Sequence, residues 1–372
     1  MQVLDFLQGQ RSTSASASDS DRVLTSLQDI ADNVQIQSNF CICHPNYKPL
    51  ELPTEAIARF QQLPLDLQNK YMSLQLQSFL YGIYYNGSMK ASLALDIDVT
   101  DRLLHQNLEN NLFLGVDLDF YERLHKSNSG EGYFDPDWSV VRQESKDCLV
   151  VTKGGLTLHI DRDRHLKDPE QSPLVGEFVA IRMPRNLVQN GFYVAVGNSG
   201  LSPQTNIVRV YFNLSPDGAI AVMGSLTQQM NETRIPFTFK VLYNPSDYTR
   251  YDSGVFYFER SKYEEVRQVL HKVYAEQRSH FGLEVPMFTK TIAPGLALAE
   301  EPDSKFSAVE SFGINRCQII VNGLLEARQR GDESANSRME YIQRHFSLLG
   351  IDWERAYLNA NSEDIYEPLE NC

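Results

Sequence analysis

Cysteine is scarce in this chain: Cys41, Cys43, Cys148, Cys317 and Cys372 are the only five among 372 residues, odd in number and scattered. That pattern excludes a small disulfide-stapled secreted fold and points to a reducing, cytoplasmic setting. No apolar run approaches the ~18–20 residues needed to cross a bilayer, and the opening MQVLDFLQGQRSTSASASDSD lacks the charged-then-apolar order of a secretory signal. Positive charge is also short. Lys and Arg total 34 against 48 Asp and Glu, a formal net charge of −14, which argues against a nucleic-acid or anionic-membrane partner while leaving room for a local basic cleft.

Familiar site fingerprints are missing as well. No Gly-rich strand-to-helix turn opens a helix, which sets aside a transferase acting on an anionic cofactor such as NAD. Lys153-Gly154-Gly155 lacks the earlier glycine and the following Ser or Thr of a phosphate-cradling loop, and reads as a hairpin turn. Gly197-Asn198-Ser199-Gly200 lacks the pattern of a nucleophilic serine turn and reads the same way. Cys41-Ile42-Cys43-His44 gathers metal-type ligands, but no second pair follows nearby to complete a structural zinc site. There is no internal repeat.

What is present is enough apolar material for a sizeable core: 42% hydrophobic and 10% aromatic residues, over a length suited to one large or two ordinary domains. Residues Arg11–Asp21, rich in Ser, Ala and Asp, read as a linker. Apolar spacing predicts helices over Val23–Gln37, Thr54–Leu63, Asp66–Tyr85, Asp101–Asn111 and Asp119–Ser127, with a loop over Cys41–Pro53, where three prolines fall. From Asp135 the pattern turns to short strands: Trp138–Arg142, Cys148–Lys153, Thr157–Asp161, Glu177–Arg182 and Phe192–Val196. Then come a strand at Arg209–Leu214, a helix at Ser215–Gln229, strands at Phe237–Leu242 and Gly254–Phe258 around a turn-rich loop, and a helix at Ser261–Glu276. Helices near Ile314–Arg330 and Ser334–Leu349 close the chain. The expected class is α+β: a mostly helical region over residues 1–130, then a mixed or antiparallel sheet with flanking helices over 131–372.

Lys240 stands out because it interrupts an otherwise apolar strand. A lysine is costly to bury charged, so it either reaches solvent or lines a site that uses its nitrogen. Arg182, Arg185, Arg209, Arg250, Lys290 and Arg316 also fall in or beside predicted strands or at a helix start. Arginine forks hold phosphate through two parallel bonds, and lysine adds a point charge or a base. Converging, these side chains suit a phosphorylated substrate; apart, they are solvated edge residues. His159, on a predicted strand, is either a half-buried hydrogen-bonded residue or a proton donor.

Three stretches carry a family resemblance: KVLYNPSDYTRYDSG (Lys240–Gly254), FTKTIAPGLALAEEP (Phe288–Pro302) and SFGINRC (Ser311–Cys317). They resemble the HopA-type effector family, named for a type III secreted effector of plant pathogens, in wording similar to its cyanobacterial homologues. The resemblance implies a partner kinase and a phosphorylated precursor peptide, as in pathways making lanthipeptides, where a kinase phosphorylates Ser or Thr and the HopA-like partner eliminates phosphate. The order of elements from Arg209 to Tyr274 is also similar to phosphothreonine lyases of the OspF/SpvC kind. On that likeness Lys240 takes the place of the catalytic lysine, Arg250 that of a loop arginine, Tyr257 that of a strand tyrosine, and Arg316 loosely that of a later phosphate-binding arginine. The family's acid histidine falls instead on Tyr211.

Such elimination removes a weakly acidic Cα proton and expels phosphate from Cβ. It needs a neutral base, stabilisation of the enolate, arginine clamps and a proton donor. Lys240 is the expected base, if burial and neighbouring arginines favour its neutral form. Arg209, Arg250 and Arg316 are the expected clamps, with Arg182, Lys290, Tyr243 and Tyr257 as further phosphate or substrate contacts. Tyr211, Tyr243 or His159 supplies the proton, and no metal or other cofactor is called for. The rival expectation is a non-catalytic binding module that docks a kinase or a leader peptide.

Overall fold

The structure, a computed structural model, describes residues 18–37, 40–95, 112–113, 115–167, 172–201 and 205–369. The helix expected at Asp101–Asn111 lies outside them. The chain groups into two compact units, neither continuous in sequence: residues 1–106, 285–291 and 297–365 form one, and residues 107–284, 292–296 and 366–372 the other. The class is α+β, with helices and antiparallel sheets. The units break the chain at other places than residue 130, because the C-terminal helices fold back onto the N-terminal ones.

The first unit begins with α1 (Asp19–Asn33). Ser18 starts it through a reciprocal cap: its Oγ accepts from the Asp21 N–H at 3.1 Å, and the Asp21 carboxylate accepts from the Ser18 N–H at 3.2 Å. Val23, Leu27, Ile30 and Ala31 give the helix its buried stripe. Three short antiparallel strands follow, β1 (Gln35–Ile36), β2 (Ile42–His44) and β3 (Tyr47–Leu50), in that spatial order. β2 and β3 occupy the stretch expected to be a loop, while β1 takes the last residues of the helix expected over Val23–Gln37. Pro49 is accommodated because β3 is an edge strand, where a missing N–H breaks no ladder. Helices α2 (Thr54–Gln61) and α3 (Leu65–Leu80) come next, and α3 runs on into a wider turn at Tyr81–Tyr85.

The second unit opens with a two-stranded ribbon, β4 (Leu112–Phe113) and β5 (Val116–Asp117), and with α4 (Leu118–Ser127), whose N-terminal Phe120 N–H donates to Asp117 Oδ1 at 2.9 Å. A four-stranded antiparallel sheet follows: β6 (Tyr133–Gln143), β7 (Cys148–Lys153), β8 (Leu156–Asp161) and, after the single turn α5 (Arg162–His165), β9 (Phe178–Met183). Its order is β8-β7-β6-β9, over an apolar cluster of Trp138, Val140, Leu149, Val151, Ile160 and Val179.

The larger sheet has seven strands, of which five lie wholly in this unit: β10 (Asn186–Gln189), β11 (Phe192–Val196), β12 (Ile207–Phe212), β13 (Thr238–Leu242) and β14 (Gly254–Glu259), ordered β10-β11-β13-β14-β12 with each of these neighbours antiparallel. Helix α6 (Pro216–Thr233) links β12 to β13, and α7 (Tyr263–Gln277) follows β14. Because β14 is inserted between β12 and β13, those two run parallel to each other. Period-two alternation commits one face to the core: Tyr193, Ala195, Val208, Val210, Phe212, Phe239, Val241, Phe256 and Phe258 are all buried. Helix α4 lies against β11 and α6 against β13 on that side. Ser253 fixes the start of β14. Its hydroxyl is buried, accepts from the Leu214 N–H at 2.8 Å and donates to the Phe212 carbonyl at 3.1 Å.

The chain then enters a hairpin, β15 (Lys290–Ala293) and β16 (Leu296–Glu300), whose tip counts with the second unit, and returns to the first as α8 (Phe312–Arg330) and α9 (Ala335–Leu348). Helix α8 packs on α3 and α9, and α9 on α1. Arg338 of α9 is buried and donates to the Ala31 and Val34 carbonyls at 3.2 and 2.8 Å, closing the C-terminal end of α1. The α8–α9 crossing depends on Gly323, where a Cβ would come within 2.7 Å of the Ile342 backbone. Gly323→Ala is therefore expected to lower stability by about 1–3 kcal/mol, read as a lower urea midpoint with an unchanged slope.

Candidate functional site

The face of the larger sheet opposite the helices carries different chemistry. The registers set two rows across it. In one, Val194, Lys240, Val255 and Tyr211 lie side by side from β11 to β12; in the next, Val196, Thr238, Tyr257 and Arg209 do. Lys240, Tyr257, Tyr211 and Arg209, picked from the sequence, therefore share one face. Tyr257 is central. Arg209 Cζ lies 5.2 Å from its ring centre and Lys240 Nζ 5.3 Å, so one aromatic ring serves two cations from neighbouring strands. Lys240 Nζ also sits 4.7 Å from the ring of Phe192 on β11.

The result is a line of alternating rings and cations: Phe192, Lys240, Tyr257, Arg209. Cation–π attraction is worth ~0.5–1 kcal/mol at exposed sites and more when desolvated. Lys240, Phe192 and Tyr257 are half-buried, and Arg209 is buried. Among the described residues no carboxylate lies within ion-pair distance of Lys240 Nζ; its recorded contacts are the two rings. Tyr211 is buried, and Val255 stands between it and Lys240, which sets the two backbones two strands, ~10 Å, apart. Glu259 follows Tyr257 on the same face and accepts a bond from Ser261 Oγ at 3.0 Å.

The other sequence candidates do not join this line. Arg250 lies in the β13–β14 loop, and its Nη2 donates to the buried carboxylate of Asp252 at 2.8 Å, with Nε on the other oxygen. That two-pronged pairing is the geometry a phosphate would need, and here Asp252 occupies it. Tyr243 follows β13, its hydroxyl 3.3 Å from Asn190 Oδ1. Arg182 and His159 belong to the four-stranded sheet. Arg182 donates to the Glu131 carbonyl at 2.8 Å, and His159 Nδ1 lies 2.8 Å from Glu144 Oε2.

Two candidates sit in the first unit. Arg316 is almost wholly enclosed on α8. Its guanidinium donates to the Ala356 carbonyl (2.8 Å), Asn315 Oδ1 (2.6 Å) and the Leu358 carbonyl (3.1 Å), and Cζ lies 4.9 Å from the Phe312 ring. It ties the C-terminal segment to α8. Lys290 is paired with Asp364 at 2.7 Å and stands over the Tyr357 ring. Burial and the Asp364 carboxylate, which accepts the Tyr357 hydroxyl at 2.6 Å, push that phenol well above its ordinary range.

Phe192 was missed in the sequence. It shares the period-two phase of Val194 and Val196, but both phases of β11 are apolar, so the strand alone did not show which face Phe192 takes. What could not be read was that β11 pairs with β13 and so brings that ring to Lys240. A hollow of about 570 Å³, lined by Asn322, Leu325, Glu326, Gln329, Arg330 and His345, belongs to the first unit and contains none of the sheet cations. Its one carboxylate, Glu326, is shared among His345 Nε2 at 2.9 Å, Arg344 at 3.2 Å and Arg330 at 3.5 Å.

Residues 183–358 match the HopA1 effector protein family, in accord with the resemblance read from the sequence. The matched span includes Phe192, Arg209, Lys240 and Tyr257. Two solved structures are similar to this chain. The effector protein from Pseudomonas syringae pv. tomato strain DC3000 is 14% identical over 66% of this chain and 81% of that one, with a TM-score of 0.40. The effector protein from Pseudomonas syringae pv. syringae strain 61 is 13% identical over 92% of this chain and 99% of that one, with a TM-score of 0.44. No curated protein matches. None of these matches bears on the likeness to phosphothreonine lyases.

The aromatic bracket around the two cations gives a direct test. Replacing Tyr257 by Leu is expected to cost about 1–2 kcal/mol from the two lost cation–π contacts, whereas Tyr257→Phe keeps them. Chemical denaturation of the two variants side by side separates the ring from its hydroxyl.

Proposed function

We propose that this chain, HopA1-like over residues 183–358, is a phosphoserine/phosphothreonine lyase acting on a phosphorylated peptide. The observation that carries the reading is Lys240: an ammonium on a sheet face, bracketed by Phe192 and Tyr257, with no carboxylate partner among the described residues and with Arg209 on the far side of the shared ring. A cation held by aromatic faces stays positioned without being paired to an acid, and so remains available to an anion; once it has given up a proton, its amine holds the lone pair that a base needs.

In this reading the neutral Lys240 amine takes the Cα proton of the phosphorylated residue. The electron pair forms the Cα–Cβ double bond, and the Cβ–O bond breaks to release phosphate. Arg209 stabilises charge on the leaving phosphate, and electrostatic placement of this kind supplies much of the barrier reduction in such reactions. The tyrosines of that face, Tyr257 and Tyr211, carry hydroxyls of the type that returns a proton to phosphate. The product peptide carries dehydroalanine or dehydrobutyrine, and a kinase that makes the phosphopeptide is the natural partner. No cofactor takes part in these steps.

One observation favours a second reading. Arg250 and Arg316, the other expected clamps, are bonded to Asp252 and to main-chain carbonyls. That leaves fewer cations for phosphate than a lyase was expected to use, and fits a module that binds a kinase or leader peptide without turnover.

Incubation with a phosphothreonine peptide, followed by mass, separates the two. Loss of phosphoric acid with an unsaturated residue left behind supports the lyase; binding with an unchanged peptide supports the module; hydrolysis to threonine removes the elimination chemistry. Lys240→Ala is expected to lower the elimination rate by about 10²–10⁴-fold, the usual contribution of a general base, with the circular-dichroism spectrum unchanged.

A further inference from the structure

The four-stranded sheet holds a cluster that the proposed elimination leaves unused. Cys148 opens β7, His159 lies on β8, and Glu144 begins the turn that joins β6 to β7. The pairing sets Cys148 opposite Asp161 and Val150 opposite His159, so the thiol and the imidazole are diagonal neighbours on one face. The turn is closed by the Glu144 N–H donating to the Cys148 carbonyl at 3.0 Å, which brings the Glu144 carboxylate over the same spot. His159 Nδ1 lies 2.8 Å from Glu144 Oε2, Cys148 Sγ lies 3.8 Å from that oxygen, and the three ligand atoms are all within 4.8 Å of one another.

We propose that Glu144 Oε2, Cys148 Sγ and His159 Nδ1 form a three-ligand site for a divalent cation of zinc type, with water completing a tetrahedron. The donor set decides the metal class. Thiolate with imidazole selects zinc-like ions over magnesium or calcium, which want oxygen alone. Thiolate and carboxylate together balance a 2+ charge.

The spacing is close to what coordination requires. With metal–ligand bonds of ~2.0–2.3 Å, a tetrahedral site separates N from O by ~3.3 Å and S from O by ~3.5 Å. The observed 2.8 and 3.8 Å lie within about half an ångström of these, and sulfur and nitrogen lie within 4.8 Å of each other, so side-chain rotation is what closure requires. Binding replaces the proton shared by His159 and Glu144, and releases the Cys148 thiol proton to solvent. Arg142 completes the arrangement. It donates to the other carboxylate oxygen, Glu144 Oε1, at 2.6 and 3.2 Å, and so turns Oε2 toward the thiol.

The site lies outside the span matched to the HopA1 family, residues 183–358. It stands whether or not the sheet with Lys240 eliminates phosphate.

Cobalt(II) titration of the reduced full chain tests it. The expected result is one equivalent bound with a thiolate-to-cobalt absorption band, displaced by zinc. Cys148→Ser should abolish the band. His159→Gln and Glu144→Gln should each weaken binding about 10–100-fold or more, and Arg142→Gln about 10-fold. A Cys41→Ser, Cys43→Ser double variant, which removes a close pair of thiols elsewhere in the chain, should keep the band. Absence of the band in the wild type, or its survival in Cys148→Ser, would overturn the proposal. Circular dichroism of each variant establishes that the sheet is intact.

Discussion

The alternation of the larger sheet is the constraint from which the rest of the second unit follows. One side of β11, β12, β13 and β14 is given over to Phe212, Phe239, Phe256, Phe258 and their aliphatic neighbours, all removed from water beneath helices. Each buried aromatic of that kind contributes roughly 2–3 kcal/mol. A one-residue slip of any strand would turn several of them outward, so the register is held tightly. Once it is held, the residues of the other phase have no freedom either: Lys240, Tyr257 and Arg209 must share the opposite face. The chemistry of that face is a consequence of the hydrophobic effect acting on the other one.

The arginines show how differently one residue type is used within a single chain. Arg316 and Arg338 are buried and serve main-chain carbonyls at segment ends, where several rigid N–H donors satisfy oxygens that would otherwise be stranded. Arg250 is matched to Asp252 within its own loop. Arg209 alone of the expected clamps lies against an aromatic ring on the face with Lys240. Counting positive residues in the sequence thus overstates the charge available to a phosphate. What matters is which guanidinium edges are already taken, and that is settled by neighbours distant in the chain.

Much of the secondary structure was legible from local pattern. The strand at Phe192–Val196 and the helix-strand-strand-helix series after Arg209 are found close to where periodicity placed them, because each combines a strong period with clear stop signals such as Ser215-Pro216 and the Tyr243–Ser253 turns. The β2 and β3 strands were not legible. Three prolines there hide a pairing that works only because β3 is an edge. The division of the chain into units was likewise hidden, since the contacts of α8 with α3 and of α9 with α1 join segments more than two hundred residues apart.

For the site, the sequence by itself determined that Lys240 is a misfit on an apolar strand, that Arg209 and Tyr257 lie on strands, and that the stretch resembles HopA-type effectors. Those facts depend only on residue identity and near-neighbour spacing. Tertiary structure decided that Phe192 completes the bracket around Lys240, that Arg316 and Arg250 are engaged elsewhere, and that His159 belongs with Glu144 and Cys148. Each of these depends on strand order and register, which are fixed by long-range burial and so leave no signature in any short window of sequence.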